Sequence, residues 1–239
     1  MRTGNPTLSE KTFQQVQQST PGEGMMTVTG TINKTAMLFL VLLLGAAISW
    51  SQPSPLLIWG GAIGGFIVAM VTIFKKEWSP ITAPIYAGLE GLFLGGISLQ
   101  YASLYNGIVF NAVLLTIGVF AAMLIAYRTG LIQVTEKLRT GIVAATGGIA
   151  LVYIASIVLS FFGINLSLIH GSGLMGIGFS LIVVGVAAFN LVLDFDMIEK
   201  GAQAGAPDYF EWYASFGLMI TLVWLYIELL RLLSKLQRR

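Results

Sequence analysis

Cysteine is absent from the 239-residue chain, and histidine occurs once, at His170. The first absence excludes disulfides, thiolate metal sites and cysteine nucleophiles, and the second excludes a cluster of histidines around a metal. Charge is scarce too: Asp, Glu, Lys and Arg make up 10% of residues, against about 25% in an ordinary soluble domain. The net charge is +2, and the 13 Lys and Arg lie mostly in loops and tails, so nothing favours nucleic-acid binding. No Walker loop, HExxH, nucleophile elbow or dinucleotide-binding glycine pattern stands in a suitable context, so neither catalysis nor a cofactor has support.

What the chain has in quantity is apolar length. Hydrophobic residues are 56% of the sequence and the mean hydropathy is +0.82. The apolar runs extend from Thr35 to Trp50, Leu56 to Phe74, Ile81 to Ala102, Gly107 to Tyr127, Thr140 to Gly163, Ser172 to Leu193 and Tyr209 to Leu233. A helix of about 20 residues crosses a hydrocarbon core of roughly 30 Å, so these runs predict an all-α membrane protein with seven transmembrane helices. One membrane domain over 34–239 follows a polar stretch, 1–33, rich in Thr, Gln and Gly and expected to be a mobile tail. The first apolar run begins too far in for an ordinary cleavable signal peptide.

Lys and Arg sort by side. Arg2, Lys11 and Lys34 precede or open the first run, and Lys75, Lys76, Arg128, Lys137, Arg139 and Lys200 fall in the second, fourth and sixth connections. The first, third and fifth connections carry none, which places the N-terminus in the cytoplasm by the positive-inside rule. Arg231, Lys235, Arg238 and Arg239 at the other end run against the outer placement that an odd number of spans implies.

Acidic residues inside apolar runs are the functional candidates, because a charge in hydrocarbon costs about 3 kcal/mol or more. Glu90 lies about nine residues into the third run, roughly 13 Å from its cytoplasmic end, where a carboxyl serves either as a structural hydrogen-bonding group or in ion or proton handling. Asp194 and Asp196 close the sixth run. Two residues apart on a helix, they point about 200° from each other, so one is expected inside and one nearer solvent. Asn190 continues a polar stripe on the face of Asp194, which makes Asp194 the interior residue and Asp196 the outer one. Lys75 and Lys76 end the second run on the same predicted side and are candidate counter-cations. Glu211 opens the last helix there, whereas Glu228, three residues before Arg231, reads as a local ion pair. His170 falls in a predicted outer loop and is given no role. Gly60 with Gly64, Gly61 with Gly65, and Gly91 with Gly95 recur at the four-residue spacing that lets helix backbones approach in lipid, with a gating hinge as the alternative.

The stretches YAGLEGLFLGGIS, FNLVLDFDMIEKG and FGLMITLVWLYIELLRLLSKL resemble the Bax inhibitor-1/YccA family, and NPTLSEKTF resembles its bacterial branch. The resemblance implies a seven-helix bundle with a central last helix, residence in the bacterial inner membrane, and a pH-sensitive calcium leak with a pair of aspartates as sensor. It makes Asp194 the first sensor aspartate and Lys75 or Lys76 its basic partner. The chain departs from the family pattern at the second aspartate, where Thr221 stands, leaving Asp196, Glu211 or Glu90 to supply that carboxylate. Eukaryotic relatives are associated with protection from cell death and a bacterial one with modulation of a membrane protease. The expected activity is therefore an ion leak, for calcium or protons, gated by protonation of buried carboxylates. The alternative is a non-conducting regulator that binds a membrane protease or another membrane protein. A secondary transporter would show an inverted repeat and broken helices, and neither is evident.

Overall fold

The computed structural model describes residues 24–163, 166, 169 and 171–238. Seven α-helices account for most of them: α1 (Val28–Ser51), α2 (Pro55–Phe74), α3 (Ser79–Leu104), α4 (Ile108–Arg128), α5 (Glu136–Phe161), α6 (Leu174–Gln203) and α7 (Tyr209–Gln237). A single 3-10 turn, Lys76–Trp78, leads into α3. Each of the seven is long and apolar enough to cross a membrane. The expected all-α, seven-span fold is what the chain forms.

Helix boundaries differ from the apolar runs where polar residues cap or extend a helix. Thr27 caps α1, its hydroxyl accepting from the Gly30 N–H at 2.8 Å, so α1 starts seven residues before the apolar run. Thr135 caps α5 by accepting from the Leu138 N–H, which draws Glu136, Lys137 and Arg139 out of the predicted loop and into the helix. The largest difference is in α6, which continues ten residues past Leu193 to Gln203. Its charged segment forms helix in place of ending it, helped by the Asp196–Lys200 pair at i,i+4, and the chain turns only at Gly205, where φ is +68°. The first 23 residues and His170 lie outside the described residues.

The chain folds as two compact units, and α6 and α7 each contribute to both. One unit is the described part of Pro6–Leu104 together with Asp196–Ile220. Within it α3 packs on α1 and on α2. Glycine makes both contacts possible: a Cβ on Gly45 would come within 2.5 Å of the Gly88 carbonyl oxygen, and one on Gly61 within 2.6 Å of the Leu89 carbonyl oxygen. The strand-like segment before α1 is tied to the turn before α7, with the Met26 N–H donating to the Ala206 carbonyl at 2.7 Å and the Asp208 N–H to the Gly24 carbonyl at 2.8 Å.

The other described unit is Tyr105–Phe195 with Thr221–Arg238. There the Asn190 amide of α6 donates to the Thr146 hydroxyl of α5 at 2.8 Å, and the Lys235 ammonium of α7 donates to the Gly176 carbonyl of α6 at 2.9 Å. Leu114, Ile117, Ile125, Leu151, Ile154 and Ile157 remain exposed on α4 and α5, as a lipid-facing surface requires. α7 is the most buried of the seven spans and α4 the least.

Candidate functional site

The deepest acid on α6 is Asp194, 1% exposed, and Asn190 one turn earlier is buried with it. The Asn190 amide is held by Thr146 and by the Val186 carbonyl of its own helix, at 2.8 and 2.9 Å. The polar stripe expected on this face is therefore present.

Asp196 corrects the sequence reading. It is 7% exposed, not near solvent. The reason is that α6 does not stop at Leu193: every residue from Asn190 to Ile198 is buried, so both faces of the helix are enclosed and a 200° separation no longer sends one aspartate outward. The Asp196 carboxylate accepts from Lys200 at 2.8 Å, and this lysine carries the charge toward solvent.

In the first unit, Glu90 is half-buried on α3. Tyr86, one turn earlier, donates its hydroxyl to the Glu90 carboxylate, and the Tyr86 ring stands edge-on to Phe216 at 4.9 Å. A Cβ on Gly65 of α2 would lie 3.4 Å from Glu90 Oε2, so the carboxylate lies beside the α2 backbone at that glycine.

Glu211 has a different setting. Its Oε1 accepts from the Thr27 N–H at 2.7 Å and from the Thr27 hydroxyl at 2.9 Å, and its Oε2 pairs with Lys34. A negative group at the first turn of α1 is favoured by the helix dipole. Gly30 leaves the room, since a Cβ there would overlap the carboxylate. Ser215, one turn along α7, donates to the Thr31 carbonyl at 2.9 Å and accepts from Thr35 at 3.0 Å, extending the seam. Both Glu211 oxygens are thus engaged by the start of α1.

Lys75 is exposed, and its backbone N–H closes the last turn of α2 onto the Val71 carbonyl. Lys76 is half-buried with its ammonium 5.8 Å from the centre of the Tyr213 ring. Thr221 is buried on α7. Gly91 and Gly95 face the Leu42 and Ala46 carbonyls of α1, and Gly61 and Gly65 face α3, which is the packing role. Gly60 meets nothing within 4 Å.

Several charged groups escaped the sequence reading. Arg139 is the largest fully buried side chain, 1% exposed on α5. Lys235 is buried, with its ammonium on the Gly176 carbonyl and the Ser180 hydroxyl, each at 2.9 Å. Glu228 and Arg231 do pair, at 2.7 Å, but the pair is not a surface one: Glu228 is buried and its Oε1 also accepts from the Tyr153 hydroxyl at 2.6 Å. Arg139 could have been found from sequence, since it leads the 3–4 spacing of Ile142, Thr146, Ile149, Tyr153 and Ser156 on α5. Among the described residues no three His, Asp or Glu side chains gather as a metal site.

Seven apolar helices with acids enclosed along them define a multi-pass α-helical membrane protein. The Bax inhibitor 1 like family model matches residues 5–238, nearly the whole chain, and the protein belongs to that family. No curated protein matches it.

Proposed function

We propose that the protein is a passive, pH-sensitive ion leak of the bacterial cytoplasmic membrane, for calcium ions or protons, with its N-terminus in the cytoplasm. It is closed while buried carboxylates are ionised and held to a cation, and it opens when protonation cancels that attraction. The observation that carries the reading is Asp194, enclosed at 1% exposure within a spanning helix. A carboxylate so placed is costly unless partnered, so its protonation changes the packing energy of the helices around it. Asp196, two residues on and also buried, is the candidate for a second sensor carboxylate. Glu90, hydrogen-bonded by Tyr86 on α3, is the candidate for an acid in the conduction path. Membership in the Bax inhibitor 1 like family and the Lys and Arg in the even-numbered connections support the activity class and the orientation.

The test is flux through the purified full-length protein in liposomes loaded with a calcium or pH dye. Release is expected to be several-fold faster at acid than at neutral pH. Absent flux, or flux equal at the two values, contradicts the leak. Absent flux with a specific membrane protease co-purifying favours the non-conducting regulator.

A further inference from the structure

We propose that Arg139 is the cation that holds the Asp194 carboxylate in place, which makes it a positioning residue of the pH sensor. The inference rests on the leak reading for its functional meaning but on the packing of one unit for its geometry.

Among the described residues of that unit, four groups carry formal charge while nearly fully buried: Arg139, Asp194, Glu228 and Lys235. Two of them have partners at the far end of the helices. Glu228 is engaged by Tyr153 and Arg231, and Lys235 by Gly176 and Ser180. Buried charges persist when they are paired, and Arg139 and Asp194 have opposite sign.

Register places them together. The Asn190–Thr146 hydrogen bond fixes the antiparallel pairing of α6 with α5. Stepping one turn in each direction sets Ile142 opposite Asp194, and both are buried. Arg139 lies on the same face of α5 as Ile142, about 4.5 Å further along the axis, a distance its side chain spans. Glu136, the carboxylate 4.0 Å from the Arg139 guanidinium, is 66% exposed and cannot neutralise a buried cation to any large degree.

The other charged or titratable groups around Asp194 in this unit are few. On α6 itself the next is Asp196, just past the unit's last residue on this helix, Phe195, and tied to Lys200. From α4, Tyr127 sets its ring 6.0 Å from that of Phe195, with Arg128 beside it in sequence. From α5 there are Glu136 and Lys137, and α7 enters the unit with the neutral Thr221. Arg128 and Lys137 are exposed, whereas Arg139 is buried. Guanidinium stays charged throughout the working pH range, so this link is broken from the aspartate side alone.

A double-mutant cycle on the full-length protein tests the pair. Arg139→Leu and Asp194→Leu are each expected to lower the melting temperature in detergent by about 10 °C or more, while the double variant returns to within a few degrees of wild type. Arg139→Lys is expected to keep pH-dependent flux, Arg139→Leu to abolish the pH dependence, and Glu136→Gln to change neither property. A double variant no more stable than either single, or an Arg139→Leu protein whose flux responds to pH as wild type does, overturns the assignment. Restored stability in the double variant with no flux in any protein leaves the ion pair standing and removes the leak.

Discussion

Replacing Gly91 by valine is expected to destabilise the fold severely. A Cβ at this position would overlap the Leu42 carbonyl oxygen, and it would stand 3.0 Å from the Leu42 carbonyl carbon and 3.1 Å from the Ala46 nitrogen. All three are backbone atoms of α1, so no side chain can swing aside. Gly95 meets the Ala46 carbonyl one turn further on, and Gly45 of α1 meets the Gly88 carbonyl of α3, so the two helices touch through glycine from both sides. Relief requires moving α1 bodily, at about 3 kcal/mol or more, the upper end of what overpacking costs. Gly60→Val is the matched control, because nothing lies within 4 Å of its Cβ position, and it should change stability by about 0.5 kcal/mol or less. Size-exclusion profiles and melting in detergent decide the matter. A Gly91→Val protein that melts with wild type would mean that the α1–α3 contact is looser than described and would revive the hinge reading of these glycines.

Arg231→Met is the second large effect expected. It removes the cation 2.7 Å from the buried Glu228 carboxylate and leaves Tyr153 as the sole donor to Oε1. Among the described residues Oε2 accepts no hydrogen bond, so the remaining charge is poorly compensated. Arg231 itself is 29% exposed, which puts the loss near the low end for breaking a buried pair, about 3 kcal/mol. Converting both residues, Glu228→Met with Arg231→Met, should recover most of it, short of roughly 1 kcal/mol for the Tyr153 hydroxyl that loses its acceptor. Thermal denaturation of the three variants checks this. A double variant as unstable as Arg231→Met alone would show that Glu228 is held by other contacts.

Sequence pattern was sufficient for the architecture because lipid imposes one requirement on every span, about 20 apolar residues with internal hydrogen bonding, and the seven runs meet it. It was less sufficient at helix ends. Thr27 and Thr135 cap helices that begin among polar residues, and the charged DFDMIEK segment reads as a stop although it continues α6 for two more turns. Burial of Asp194 with Asn190 followed from a four-residue spacing on one helix, a purely local relation. Burial of Asp196, the engagement of Glu211 by Thr27 and Lys34, and the seat of Lys235 on Gly176 and Ser180 depend on residues far apart in sequence. No periodicity of one helix encodes those contacts. Arg139 lies between the cases: its face is written in the spacing of α5, but a basic residue one turn after a cap also looks like a loop charge at the membrane surface.

The central claim is that ionised Asp194 keeps the pathway shut. Asparagine has the shape of the protonated acid and cannot carry its charge, so Asp194→Asn removes the attraction without changing the packing volume. The measurement is calcium and proton flux at neutral pH in liposomes holding wild-type or Asp194→Asn protein. The account predicts that the variant leaks at neutral pH close to the wild-type rate at acid pH and responds little to further acidification. An Asp194→Asn protein that stays shut at neutral pH and opens in acid as wild type does would contradict it.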